Sequence, residues 1–254
     1  MSLFNSSSPA LSNQVFEGSR NASIATDSVM TVRGTVHKTL LLLLLAVLGA
    51  SYTWQVFVNA VTPEVAPSAV TPYMVGGLIG GLVFALIAIF NPRRSVWAAP
   101  LYAVSEGLCL GGLSAMFNAQ TDGIVLQAIG LTIGVLFVML LLYRTGAIKV
   151  THKLRSGIII ATASIALFYV ATWIASFFTS VTFLHDASLL SIGISVFIVI
   201  VAALNFLLDF DFIDRGAQMA APKYMEWYGA FGLMLTLVWL YLEILRLLSK
   251  LSRR

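Results

Sequence analysis

Seven stretches of the chain run on with scarcely a charged residue, and short polar segments divide them. The stretches are Thr39–Val58, Tyr73–Phe90, Val96–Phe117, Gly123–Tyr143, Gly157–Phe178, Ser188–Leu208 and Trp227–Leu248. The dividers read TPEVAPSAVTP, NPRRS, NAQTD, RTGAIKVTHKLRS and TSVTFLHDA. A helix needs ~20 apolar residues to cross the hydrocarbon core of a bilayer, and each stretch is of that length. None alternates with the period of two that marks a barrel strand. The pattern predicts an all-α, polytopic membrane bundle of seven helices. The first run, LLLLLLAVLGA, has the composition of a signal peptide core. It begins only after Thr39 and six more runs follow, so it is expected to stay as an uncleaved helix.

Composition agrees. Of the 254 residues, 59% are hydrophobic and only 10% charged, against about 25% charged in a soluble domain. Such a chain has too little polar surface to cover a globule in water. Residues 1–36 differ, being rich in Ser, Asn and Ala. They are expected to form a mostly exposed tail, with room for a short amphipathic helix near its end, before a transmembrane domain over residues 37–254. Asn-x-Ser triplets at Asn5 and Asn21 carry little weight, because such triplets are common by chance. The single cysteine, Cys109, lies inside the third run, which excludes an intrachain disulfide and a cysteine metal site. His37, His152 and His185 sit at run edges or between runs, so no histidine pair can hold haem or zinc within the bundle. Nucleophile-elbow, phosphate-loop and zinc-protease motifs are all missing. The reading is a non-enzyme without a cofactor, whose basic loops are orientation signals and not a nucleic-acid surface.

Positive charge marks the cytoplasmic side of a membrane. Arg20, Arg33 and Lys38 precede the first run, Arg93 and Arg94 follow the second, and Arg144, Lys149, Lys153 and Arg155 follow the fourth. The intervening loops carry Glu64, Asp122 and Asp186 and no Lys or Arg. The N-terminus is expected inside. A full seventh span then puts the C-terminus outside, yet that end reads RLLSKLSRR. Either the rule is violated at the last span, or the last segment re-enters within the protein, where irregular backbone is tolerated.

Within the runs, two features bear on packing. Span two reads GGLIGG, with the overlapping pairs Gly76/Gly80 and Gly77/Gly81, which let helix backbones approach closely. Span six carries Ser188, Ser191, Ser195, Ile198, Ala202, Asn205 and Asp209 at spacings that alternate between three and four, so they share one helix face. That face is small or polar and is expected to turn inward, with Asp209 at its inner end.

The acids are the candidate chemistry. A charged side chain at mid-bilayer costs ~2.5–3.5 kcal/mol on insertion scales, so acids inside spans are candidates for an ion pathway or for pH sensing. Span six ends in LLDFDFIDRG. Asp209 is the inward group, and an acid at a helix C-terminus works against the dipole by about 0.3–1 kcal/mol, which calls for a partner or a use. Asp211 is expected to pair with Arg215 four residues on, and Asp214 to lie in the cytoplasmic loop. Glu106, in AVSEGLCLGG among Ser105, Gly107, Gly111 and Gly112, either makes an interhelical hydrogen bond or stands on a polar pathway. Glu243, in VWLYLEILRLL, either forms an interfacial ion pair with Arg246 or belongs to that pathway. Oxygen ligands suit hard cations such as Ca²⁺, but D-F-D-F-I-D lacks the Gly turn and the final bidentate acid of a calcium loop, so no fixed metal site is expected.

PLYAVSEGLCLGG, ALNFLLDFDFIDRGAQMAAPKYMEWYGAFGL and LVWLYLEILRLLSKL resemble the bacterial branch of the Bax-inhibitor (transmembrane Bax-inhibitor-motif) family. The likeness covers Val32 to Leu251 and is most specific toward the C-terminus. It implies six helices around a central, C-terminal helix in a bacterial inner membrane. It implies a pH-sensitive calcium leak, with Ca²⁺ as the permeant ion. Alternatively it implies an interaction protein, since other members modulate a membrane protease and eukaryotic relatives suppress cell death. The family's pH sensor implies a pair between Asp209, or Asp211, and Glu243. Two departures stand out. The second acid is Glu where the family has Asp. It lies 34 residues after Asp209, longer than the family's spacing, which points to an insertion in RGAQMAAPKYMEW. If Trp227–Leu248 is one spanning helix, Glu243 lies ~24 Å from its start and out of reach of Asp209.

Overall fold

The structure, a computed structural model, describes residues 29–60, 66–178 and 188–253. The expectations for Asn5, Arg20, Asn21, Glu64, His185, Asp186 and Arg254 fall outside those residues. Seven helices make up the described chain: α1 Val32–Val58, α2 Ala66–Phe90, α3 Ser95–Gln120, α4 Ile124–Arg144, α5 His152–Ala175, α6 Leu189–Gln218 and α7 Met225–Ser252. A 3-10 turn, Pro92–Arg94, joins α2 to α3. All seven helices are long and apolar enough to cross a membrane.

Helix ends extend beyond the apolar runs where a cap or a local ion pair supports them. Thr31 caps α1, its hydroxyl accepting from the Gly34 N–H at 2.9 Å, so the helix begins inside the segment read as tail. Thr151 caps α5 in the same way from Leu154, at 3.3 Å. Lys153 and Arg155, expected in a loop, therefore lie on the first turn of α5. The largest extension is in α6, which continues ten residues past its apolar run to Gln218. Residues 219–224 alone connect it to α7, through Ala220 in the left-handed region at φ 49°. RGAQMAAPKYMEW is thus the end of one helix, a tight turn and the start of the next.

The last helix crosses the whole bundle. Its start lies beside the start of α1, where Met30 N–H donates to the Ala221 carbonyl at 2.7 Å. Its end lies at the α3–α4 turn, where Arg253 donates to Gln120 at 2.6 Å and the Ser252 and Thr121 hydroxyls are 3.2 Å apart. Its 28 residues cover ~42 Å. The re-entrant alternative is overturned, and Ser252 and Arg253 lie at the end of the bundle opposite the start of α1. This helix packs against α1, α3, α4 and α6. Within its most apolar window 56% of residues are buried, against 11–39% in the other spans, so α7 is the central helix.

Backbone approach is closest around α3. A Cβ at Gly111 would lie 2.6 Å from Ala50 Cα, and one at Gly107 would lie 2.8 Å from Ala46 Cα, both in α1. On the other side, a Cβ at Gly77 would meet Cys109 N at 2.8 Å, one at Gly80 the Ser105 hydroxyl at 2.9 Å, and one at Gly81 the Glu106 carboxylate at 2.8 Å. Gly76 faces open space. Of the two pairs in GGLIGG, Gly77/Gly81 is the packing pair. Gly76/Gly80 is not, because Gly76 falls on the outer side of α2.

Candidate functional site

The small and polar stripe of α6 meets a matching stripe on α7. Gly229, Gly232, Thr236, Trp239, Glu243, Arg246 and Lys250 follow the same alternating spacing of three and four. Two contacts set the antiparallel register. The Thr236 hydroxyl donates to Asp209 Oδ2 at 2.6 Å. About 21 Å away by helix rise, Lys250 Nζ donates to Ser195 Oγ, at 2.7 Å. Interpolated between them, Glu243 falls opposite Ala202.

Asp209 is not at a helix end. It lies nine residues inside α6, ~14 Å from the C-terminus, so the dipole does not act on it. It keeps part of its surface accessible because it opens onto a cavity of 310 Å³ between α5, α6 and α7, with Ile89 of α2 at its edge. Arg155, Phe212, Tyr228 and Gly232 also line that cavity. Asp209 and Arg155 supply its charged groups.

The longer α6 also relocates the other two acids. A helix turns about 100° per residue, so the three carboxylates point to three neighbours. Asp211 pairs with Arg215 as the spacing predicts, Nε to Oδ1 at 2.9 Å. It is buried, at 7% exposure, and Arg155 of α5 approaches its Oδ2 at 3.6 Å. That separation is Coulombic and too long for a hydrogen bond, and Oδ2 has no hydrogen-bond partner. Asp214 is not a loop residue. It lies on α6 and accepts from the Tyr143 hydroxyl of α4 at 3.2 Å.

Glu243 is buried, at 2% exposure, in a second polar cluster. The expected pair with Arg246 forms, with Nη1 3.0 Å from both carboxylate oxygens. Tyr169 of α5 completes it, donating to Glu243 Oε1 at 2.8 Å and accepting from Arg246 at 2.7 Å. Above this cluster Lys250 is buried against Ser195 and the Ser191 carbonyl. Between the two acids come an Asn205–Thr162 hydrogen bond of 2.9 Å and the Trp239 side chain, and Trp239 packs with Ile165, Ile198 and Val201 in one apolar cluster. The structure therefore does not bring Asp209 and Glu243 together. They lie two helical turns apart along the seam, ~10 Å, each with its own partners. Glu106 stands elsewhere, half-buried on the α2–α3 interface against Gly81. Among the described residues no cluster of His, Cys, Asp and Glu can hold a metal ion.

One buried acid was not legible as a candidate. Glu226, at the first turn of α7, is 1% exposed. It accepts from the Thr31 N–H at 2.9 Å and the Thr31 hydroxyl at 2.8 Å, and it pairs with Lys38 of α1. The Lys38 ammonium also lies 5.5 Å over the Trp227 ring. Gly34 leaves room for the carboxylate, since a Cβ there would collide with it. An acid in the first turn suits the helix dipole and reads as a surface residue, which hid it.

Curated proteins yield no match to the chain. A family model described as Bax inhibitor 1 like matches residues 8–253, nearly the whole length. With seven apolar helices gathered around the C-terminal one, the chain is a membrane protein that belongs to the Bax inhibitor 1 like family.

Proposed function

We propose that the chain is a pH-sensitive leak pathway for cations, calcium among them, in a bacterial inner membrane with the N-terminus cytoplasmic. One observation carries this reading. Asp209 sits deep in the bundle yet stays reachable through a cavity, and it is hydrogen-bonded to the central helix. Polar positions continue along the same seam, through Asn205, to the Glu243 and Lys250 clusters. The apolar cluster of Ile165, Ile198, Val201 and Trp239 closes the route, so conduction requires α7 to move against α5 and α6. The basic residues of α1, the α2–α3 turn and the start of α5 share the face from which the cavity is nearest, which supports a cytoplasmic mouth.

Protonation of Asp209 removes the charge that Thr236 and a passing cation both address, and Asn mimics the protonated form permanently. The test is calcium flux from loaded vesicles across a pH series. The wild-type flux is expected to converge on that of Asp209→Asn as the pH falls, while the variant stays flat. Flux equal to that of empty vesicles at every pH refutes the reading.

A second reading is a membrane-embedded interaction protein that modulates a membrane protease. It draws on the contact of Val29 with Pro222 at the α6–α7 turn, where the described chain begins. Deletion of residues 2–28 is expected to abolish partner co-purification and leave the bundle folded. Unchanged co-purification rejects it.

A further inference from the structure

A second cavity, of 480 Å³, lies on the other side of the central helix. Met234, Leu237, Val238 and Tyr241 of α7 form its floor, on the face opposite Thr236 and Glu243. Its walls are α1 and α4, with α3 behind. Its mouth opens sideways between α1 and α4, where Val47 and Ile133 are each 59% exposed on the surface that faces lipid.

Water does not suit this cavity. A buried water needs two to four polar partners. Four lining residues carry hydroxyls: Ser51, Ser114, Thr132 and Tyr241. Ser114 and Tyr241 bond each other at 2.6 Å, and Thr132 donates to the Ala128 carbonyl at 2.7 Å. Ser51, at the mouth, is exposed. The occupant has to be apolar and thin enough to enter between two helices.

Its dimensions identify the chemistry. The lining on α1 runs from Leu43 to Trp54 and that on α4 from Val125 to Leu136. Each stretch rises ~16 Å, about half of a ~30 Å hydrocarbon core, which is the depth of one leaflet. If a methylene occupies about the ~30 Å³ share of a liquid water, the volume holds a chain of roughly 16 carbons. Trp54 lies at the end toward the membrane surface, where tryptophans favour the headgroup level. From this we infer that the groove is a binding site for one acyl chain of a membrane lipid, taken from the leaflet on the C-terminal side and laid against the central helix.

The full chain reconstituted in phosphatidylcholine vesicles, doped with a phospholipid bearing a diazirine on one acyl chain, tests the inference. After irradiation, labelled peptides are mapped by mass spectrometry. Leu237 and Val238 are only 6% and 7% exposed, so lipid surrounding the bundle reaches them only by entering the groove. Label on these residues of α7, along with α4, is the expected result. Ser51→Trp, which fills the mouth without entering a packed contact, is expected to lower the α7 label several-fold while Leu40 and Leu44 on the outer face of α1 stay labelled. Ile129→Trp is the parallel variant should the first not fold. Label confined to outward residues of the wild type, or α7 label untouched by either tryptophan, overturns the site.

Discussion

Lys38 and Glu226 pair at the root of the bundle, but the cost of losing one is not the cost of losing the other. Glu226 is 1% exposed at its side chain and Lys38 18%. Lys38→Met leaves a carboxylate that cannot reach water, and breaking a buried pair in this way costs ~3–5 kcal/mol. Glu226→Gln keeps an oxygen to accept from Thr31, and Lys38, which is already partly exposed, can turn its ammonium outward. Only a charge-assisted bond is lost, ~1–2 kcal/mol. At ~2–4 °C per kcal/mol for a chain of this size, the melting point is expected to fall by ~10 °C in Lys38→Met and by ~4 °C in Glu226→Gln. The double variant carries no buried charge. It is expected to melt near Glu226→Gln, so that the second substitution rescues the first. Thermal unfolding in mild detergent, followed by tryptophan fluorescence with Trp227 beneath the ammonium, reads all three. The reasoning fails if Lys38→Met is the milder single change, or if the two effects add to within ~0.5 kcal/mol.

Gly111→Leu is expected to lower stability by at least ~2 kcal/mol, because the obstacle is the α1 backbone at Ala50, whereas Gly76→Leu, with nothing near it, is expected to be neutral. Thermal unfolding of the two side by side checks this. Tyr169→Phe removes a hydroxyl that bonds both Glu243 and Arg246, and a loss of ~1–2 kcal/mol is expected by the same assay. Arg155→Gln removes the cation nearest the unpartnered oxygen of Asp211 and one of the two charges on the Asp209 cavity. In loaded vesicles its calcium flux is expected to rise several-fold over wild type, and an unchanged flux argues against a mouth at Arg155.

Hydrophobic periodicity was enough for the number of spans and for the class of fold, because lipid permits only a helix or a closed barrel and the runs lack strand alternation. It also picked out the inward stripe of α6. Two pairs were legible as well, Asp211 with Arg215 and Glu243 with Arg246, since each partner lies within one helical turn. The ends of α5 and α6 were not. Caps, and carboxylates with partners on neighbouring helices, carry those helices past the apolar limit, and so Asp209 moved from a helix end to the interior of the bundle.

Sequence by itself determined a seven-helix membrane bundle with acids on its inner faces. Every long-range partner was decided by the tertiary structure. Thr236 on Asp209, Tyr169 on Glu243, Arg155 on Asp211 and Lys38 on Glu226 are all brought in by packing between different helices. The separation of Asp209 from Glu243 belongs there too. It follows from the sliding register of two antiparallel helices, and small residues along both stripes allow more than one register until the whole bundle selects it.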